Sequence, residues 1–212
     1  MKSNKNEFNY VQYGCGFSAA EGWLNFDASP TLKFERIPVL GKLYTKNKIR
    51  FPENVHYGDI VKGLPVQANS CKGIYASHVL EHLALDGFRI ALKNTYDLLA
   101  KGGIFRVVVP DMEVFAQHYL SSDAADACLK LMEESYLGRE KRIKSIMDFL
   151  ELWLGNSHHL WMWDYKSLEN ELIKVGFVNI RRCYFNDSSD EMFKFVENEQ
   201  RFNDAVAIQC QK

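Results

Sequence analysis

YVQYGCGFSAAEGWLNFDASP, residues 10–30, decides the fold. Tyr10–Tyr13 is a short β-like run that ends on Gly14-Cys15-Gly16, and Trp23-Leu24-Asn25-Phe26 is a second strand that stops at Asp27. Glycine after a strand lets the backbone approach a bound group closely. An acid at the end of the next strand can accept hydrogen bonds from both hydroxyls of a ribose. A tight turn beside a surface Asp would use the same letters. The spacing nevertheless disfavours a nicotinamide dehydrogenase. The third glycine is absent, and Asp27 follows Gly16 by only 11 residues, whereas a dinucleotide site needs about 20.

Working outward, strands and helices alternate. Val55-His56-Tyr57 and Gly73–Ser77 read as strands three and four, and Ile104–Val109 as a buried fifth strand closed by Pro110. Between the last two, Asp86–Leu99 is an amphipathic helix with Phe88, Ala91, Leu92, Tyr96 and Leu99 at helical spacing, ended by Lys101-Gly102-Gly103. Asp111 caps a helix to about Leu120, and residues 121–163 are helical in propensity, with Trp153, Trp161 and Trp163 at their end. Asp164 caps a further helix carrying Leu168, Leu172 and Val175, which Gly176 stops. Val178–Phe185 and Ala205–Cys210 are the last strands, joined by an acidic stretch. The alternation predicts an α/β fold, a doubly wound and mostly parallel sheet with one antiparallel strand added at the end.

Composition narrows the function without naming it. The chain has 212 residues, 26 Lys plus Arg against 27 Asp plus Glu, and 47% hydrophobic residues. One domain spanning 1–212 is expected, with a helical insertion at about 121–163. Near-neutral charge argues against a nucleic-acid partner. The five cysteines, Cys15, Cys71, Cys128, Cys183 and Cys210, include no C-x-x-C pair, and reduced thiols in a cytoplasmic protein are the simple reading. No apolar run is long enough for a membrane span. Residues 31–50 carry six basic side chains and one acid. They read either as a solvated loop or as a contact for phosphates or an anionic membrane surface.

YGCG, GWLNFDASP, HYGDIVKGLP, IYASHVLEHL, LAKGGIFRVVVPDME and HHLWMWDYKSLENELIKVGF follow one another in this order. In that order the chain resembles the class I S-adenosylmethionine-dependent methyltransferases, whose fold is Rossmann-like. Within them it is similar to the type 11-like branch associated with bacterial polysaccharide and cell-surface glycan biosynthesis. The resemblance implies S-adenosyl-L-methionine as cofactor, with Gly14, Cys15 and Gly16 under its methionine part and Asp27 on the ribose. It implies that Asp59 and Ile60 meet the adenine, and that Ser77 and His78 line the wall beside the methyl group. Lys72 stands where relatives commonly have an acid, and Gln12 where many have one.

His78-Val79-Leu80-Glu81-His82 is the most chemically loaded segment. His78 or His82 suits a general base for a hydroxyl acceptor, since neutral imidazole accepts protons near pH 7. His78, Glu81 and His82 are also competent metal ligands, and Glu81-His82 is similar to the pair used by metal-dependent RNA-end and quinone-pathway O-methyltransferases. A helix start packed on the sheet is the bland alternative, and no metal is assigned. His159 falls where this branch often has a His before the last helix, and reads as assisting deprotonation or as part of an aromatic cluster. His158 and His159 diverge by about 100° on a helix, so at most one faces a given site. His78 and His159 are the catalytic candidates. The expected activity is methylation of a sugar or small-molecule hydroxyl. A degenerate fold acting as a binding or regulatory module is the alternative.

Overall fold

The computed structural model describes residues 9–38, 50–139 and 158–212. Lys42, Lys46 and Lys48 of the basic stretch lie outside the described residues, as does Trp153 with the middle of the expected insertion. Among the described residues the strands are β1 (Asn9–Tyr13), β2 (Leu24–Asp27), β3 (Val55–Tyr57), β4 (Cys71–Ser77), β5 (Leu99–Pro110), β6 (Val178–Arg182) and β7 (Ala205–Gln211). The helices are α1 (Pro30–Glu35), α2 (Leu85–Leu98), α3 (Met112–Ser121), α4 (Ala127–Glu134) and α5 (Tyr165–Val175).

The strands form one sheet in the order β3-β2-β1-β4-β5-β7-β6. β1 to β5 pair in parallel, and β7 runs antiparallel to both β5 and β6. The chain builds outward from β1 to β3 and then returns to lay β4 on the other side of β1. This reversal opens the crevice at the carboxyl ends of β1 and β4 where doubly wound sheets bind ligands. The expected mixed sheet is therefore present.

Burial explains the strand sequences. β4 and β5 are covered on both faces, so Ile74, Ala76, Phe105, Val107, Val108 and Val109 are all buried and the runs are continuously apolar. α2 lays Phe88, Ala91, Leu92 and Leu98 on this core, and α5 adds Leu168 and Leu172. α5 begins at a reciprocal capping box between Asp164 and Ser167, and ends at Gly176 with φ 110°.

Three local expectations shift. α2 ends at Leu98, because Leu99 is already extended and pairs with Cys71. The glycines beyond it form a bulge rather than a helix stop: the register jumps from Leu99 opposite Cys71 to Ile104 opposite Gly73. A Cβ on Gly103 would stand 2.7 Å from the Cys71 carbonyl oxygen. β6 stops at Arg182, short of Phe185: Cys183 N makes one last bond to the Ala207 carbonyl, and the chain then turns, the Asp187 amide donating to the Tyr184 carbonyl. Finally, residues 158–163 are not helical. The Leu160 and Trp161 amides donate to the Glu81 carbonyl, and the Met112 amide donates to the Trp163 carbonyl, so this segment is laid across the carboxyl edge of β4 and β5. Trp163 is buried there, stacked on Phe88 with ring centroids 4.1 Å apart.

Arg106 is the polar exception in β5 and is fully buried. Its Nε donates to Glu197 Oε1 at 2.6 Å, its Nη1 to Asp187 and Gln209 at 2.8 Å each, and its Nη2 to the Tyr184 carbonyl at 3.0 Å. Two acids of the stretch read from the sequence, Asp187 and Glu197, thus fold inward on one guanidinium, while Asp190 pairs with Lys72 and Glu191 with Lys194. A second network joins α2 to α5. Arg89 donates through Nε and Nη2 to the two oxygens of Glu171, at 2.8 and 3.1 Å, and Lys174 adds a 2.6 Å bond.

Arg106→Met should lower the unfolding free energy in urea by about 3–5 kcal/mol, since it strands buried Glu197 without its partner. Adding Glu197→Gln should recover part of that loss. The Glu171 carboxyl is held down to about 2 by Arg89 first and Lys174 after it. Its folded value is below its unfolded one, so its stabilisation is present above about pH 4.5 and fades as pH falls toward 2. Glu171→Gln should cost about 1 kcal/mol at neutral pH. The difference from the parent protein should vanish in acid unfolding curves.

Candidate active site at the carboxyl edge of the sheet

Gly14 and Gly16 turn the chain out of β1 with φ of 63° and 55°. A Cβ on Gly14 would lie 2.2 Å from Val79 Cγ2, so this glycine lets the loop after β1 meet the loop after β4. At Gly16 an added Cβ would have nothing within 4 Å. The Gly16 amide donates to Asp27 Oδ2 at 2.9 Å and the Ser29 amide to Asp27 Oδ1 at 2.7 Å. Each oxygen of Asp27 keeps a lone pair for a further donor. The Cys15 thiol donates to the Gly16 carbonyl at 3.6 Å and is packed with Leu32, Phe51 and Val55. Burial, then the Asp27 charge, pushes it up to about 12, so it is unreactive and Cys15 offers only its backbone.

The Gly58 amide donates to the Asp27 carbonyl at 3.1 Å, which sets Asp59 just beyond the end of β3 and beside β2. Asp59 Oδ1 accepts from the Val61 amide at 3.0 Å, and Oδ2 pairs with exposed Lys62. Ile60 is 5% exposed and belongs to the main core. Lys72 pairs instead with Asp190 at 3.3 Å and lies over the Tyr10 ring, on the opposite end of β4.

β4 ends at Ser77, and the chain then turns through His78 with φ 53°, a conformation uncommon for a side chain of this size. His78 N still donates to the Val108 carbonyl at 2.9 Å, so the turn is anchored to the sheet. A short 3₁₀ turn, Leu80–His82, follows. Glu81 is fully buried in it, and among the described residues no side chain donates to its carboxyl oxygens; the Glu81 and Val79 backbone amides lie near it without well-formed hydrogen bonds. Three imidazoles surround Glu81 Oε1: His78 Nδ1 at 3.5 Å, His82 Nε2 at 3.8 Å and His159 Nε2 at 3.9 Å. His82 and His159 meet edge-on at 5.0 Å between centroids, and Tyr136 covers His159 at 5.3 Å.

Burial dominates the electrostatics. It raises the Glu81 carboxyl to about 8 and lowers all three imidazoles, His159 to about 4 with help from neighbouring His82. The cluster is neutral near pH 7, so its imidazoles can accept protons. His78 Nε2 lies 2.8 Å from the Arg201 carbonyl and His82 Nδ1 lies 3.1 Å from the His158 carbonyl. A carbonyl only accepts, so the N–H of each ring sits on that nitrogen. The lone pairs of His78 Nδ1 and His82 Nε2 therefore point toward Glu81.

The structure thus brings His78 and His159 together around Glu81 and sets the Gly14 turn against Val79, one residue from His78. Both members of the His158-His159 pair contribute, one by its carbonyl and one by its ring. Sequence reasoning missed the Arg201 carbonyl, the His158 carbonyl and Tyr136. Backbone acceptors leave no mark on residue type, and Tyr136 stands in a stretch with no motif. Asp111 is occupied as the cap of α3 and by Arg182 at 3.6 Å.

No protein-family model matches the sequence, and no curated protein matches it. Solved structures do. A methyltransferase dependent on S-adenosylmethionine from Archaeoglobus fulgidus superposes with a TM-score of 0.52 at 15% identity, covering 98% of this chain and 87% of that one. One from Thermotoga maritima superposes at 0.50 and 15% identity, covering 97% and 83%. The fold is that of the class I methyltransferases. The candidate site lies where the strand order of this chain's sheet reverses, between β1 and β4.

Gly14→Ala should destabilise the chain by about 1–3 kcal/mol, combining a positive-φ penalty with overpacking on Val79. Gly16→Ala should cost only about 1 kcal/mol, the conformational part. Equilibrium unfolding of the two variants side by side checks the contrast.

Proposed function

We propose that this chain is an S-adenosylmethionine-dependent methyltransferase that methylates a hydroxyl oxygen on a sugar or other small molecule. The observation that carries the reading is the junction of two features at one switch point. The Gly14–Gly16 turn is hydrogen-bonded to Asp27, and an imidazole lone pair on His78 lies just past the adjoining strand end. The residues present fit the cofactor. Asp27 keeps free lone pairs for a ribose diol, and Gly16 has open space in front of it. Gly14, Cys15 and Gly16 would hold the methionine end through their backbone, Asp59 would receive the adenine amine, and Ile60 would back its ring.

When bound, the cofactor supplies a methyl carbon made electrophilic by a sulfonium. The chain's own part is to bind, orient and accept a proton. His78 Nε2–H is fixed by the Arg201 carbonyl, which leaves Nδ1 to take the hydroxyl proton. With its proton on His78, the acceptor oxygen would be free to take the methyl group that the cofactor supplies, the cofactor leaving as a neutral thioether. His159 assists from the far side of Glu81. The segment 158–163 and Tyr136 wall this side of the site and keep water from it.

The hydroxyl preference follows from Ser77-His78 after the fourth strand, where amino-group methyltransferases carry an Asn/Asp-Pro-Pro-aromatic run. The motif resemblance points the acceptor toward glycans. Calorimetric titration with S-adenosylhomocysteine tests the reading. Binding should be micromolar and should weaken at least tenfold in Asp27→Ala, a loss of about 1.4 kcal/mol or more. His78→Ala should bind within about twofold of the parent, yet turn over about 10²–10⁴-fold more slowly on a hydroxyl acceptor. Unchanged binding by Asp27→Ala would remove the ribose assignment.

A further inference from the structure

The buried cluster around Glu81 poses a problem that hydrogen bonding within the protein does not solve. Glu81 has no exposed surface, and among the described residues neither carboxyl oxygen has a well-formed hydrogen bond, the Glu81 and Val79 backbone amides being its nearest donors. Its neighbours are imidazole nitrogens, and at least two of them present lone pairs. The Arg201 carbonyl fixes the proton of His78 on Nε2, and the His158 carbonyl fixes that of His82 on Nδ1. Acceptor therefore faces acceptor at 3.5 and 3.8 Å. One proton on Glu81 can serve one of these nitrogens at a time. A buried polar group left unmatched costs about 1–3 kcal/mol, and a cation held between Glu81 Oε1, His82 Nε2 and His159 Nε2 would match the acceptors on that side of the carboxyl.

We propose that Glu81, His82 and His159 hold a divalent first-row transition metal ion through Glu81 Oε1 and the Nε2 atoms of both histidines. Among the described residues these three side chains place one ligand atom each within 4.8 Å of one another. Glu81 Oε1 lies 3.8 Å from His82 Nε2 and 3.9 Å from His159 Nε2. Metal–ligand bonds of about 2.0–2.1 Å put tetrahedral ligands about 3.3 Å apart, so each imidazole must close on Glu81 by about half an ångström, and the two imidazoles must also draw together from within 4.8 Å of each other. Two imidazoles and one carboxylate form a set with open positions, suited to zinc, cobalt, manganese or iron and poorly suited to magnesium or calcium.

The surroundings match a metal centre in two further ways. A ligating imidazole normally donates its other N–H to a carbonyl or carboxylate, and His82 does so to the His158 carbonyl. The segment bearing His159 is bound to the ligand it must meet, because the Leu160 and Trp161 amides both donate to the Glu81 carbonyl, at 2.7 and 3.1 Å. His78 Nδ1, beside Glu81 Oε1 on the side of the Gly14 turn, stays available as the proton acceptor. For methyl transfer, and here the inference rests on the proposed function, the ion would bind the acceptor oxygen at an open position. There it would favour the deprotonated hydroxyl whose proton passes to His78.

The site is tested without activity. Chelator-treated protein is titrated with Co²⁺ and followed by visible absorption, with zinc competition and with Mg²⁺ as comparison. About one equivalent of Co²⁺ should bind with a ligand-field spectrum that Zn²⁺ abolishes and Mg²⁺ leaves alone. Glu81→Gln and His159→Ala should each weaken Co²⁺ binding at least tenfold, and His118→Ala should not change it. S-adenosylhomocysteine affinity should stay within about twofold in all three. No spectral change in the parent protein overturns the metal site, whether or not the variants fold. Metal uptake without S-adenosylhomocysteine binding would retain the site and remove methyl transfer, and the converse would remove the metal alone.

Discussion

The guanidinium of Arg106 organises more of this molecule than any other polar group. It sits in the middle of β5 with no exposed surface, and a charge there is tolerable only if its donors are matched. Glu197, Asp187, Gln209 and the Tyr184 carbonyl match them. Those four residues come from β7 and from the long connection between β6 and β7. One side chain therefore anchors that connection against the sheet. The connection continues through the turn Glu199–Phe202, which contains the Arg201 carbonyl that fixes the His78 ring. A constraint in the core thus determines which nitrogen of a histidine at the sheet edge carries a proton.

The edge itself is built from close approaches. Val79 occupies the space a Gly14 side chain would need, so the turns after β1 and β4 must be side by side. His78 takes φ 53° to make the second turn, and the ladder bond from its amide to Val108 holds it there. Strain of order 1 kcal/mol in a surface loop would relax. Here the β4–β5 ladder on one side and the 3₁₀ turn with buried Leu80 on the other prevent it. The 158–163 segment closes the arrangement by hydrogen-bonding to the Glu81 carbonyl.

The sequence made the sheet legible because its signals are local. Alternating runs, the Asp164 and Asp111 caps and Gly176 mark element type through chemistry that acts within a few residues. The bulge at Gly102-Gly103 was not legible as such: two glycines after a helix fit a helix stop and a register jump equally, and only the partner strand decides between them. Asp27, Gly14 and Gly16 were readable as candidates because strand ends are where ligands bind in such sheets. The Glu81 cluster was half readable. His78, Glu81 and His82 share a short segment, but His159 joins them only by folding, and the carbonyls that orient the rings belong to residues whose side chains do other things.

This division explains why the cluster is the least self-sufficient part of the chain. Elsewhere local preference and tertiary packing agree: strands are apolar where covered, and caps are polar where helices begin. At Glu81 they conflict, since a carboxyl is buried in the turn after β4 beside imidazoles of which at least two present lone pairs. A fold selected for stability alone would place an apolar residue there, because replacing buried polar networks by well-packed apolar side chains is often neutral or stabilising. Conflicts between levels of this kind concentrate at functional sites. Burial lowers the basicity of the three imidazoles enough to keep them uncharged, and the Arg201 and His158 carbonyls aim two of them inward. The arrangement is ordered by the protein but completed only by a positive charge from outside it. That makes the carboxyl edge of β4, rather than the glycine turn alone, the place where the chemistry of this fold is decided.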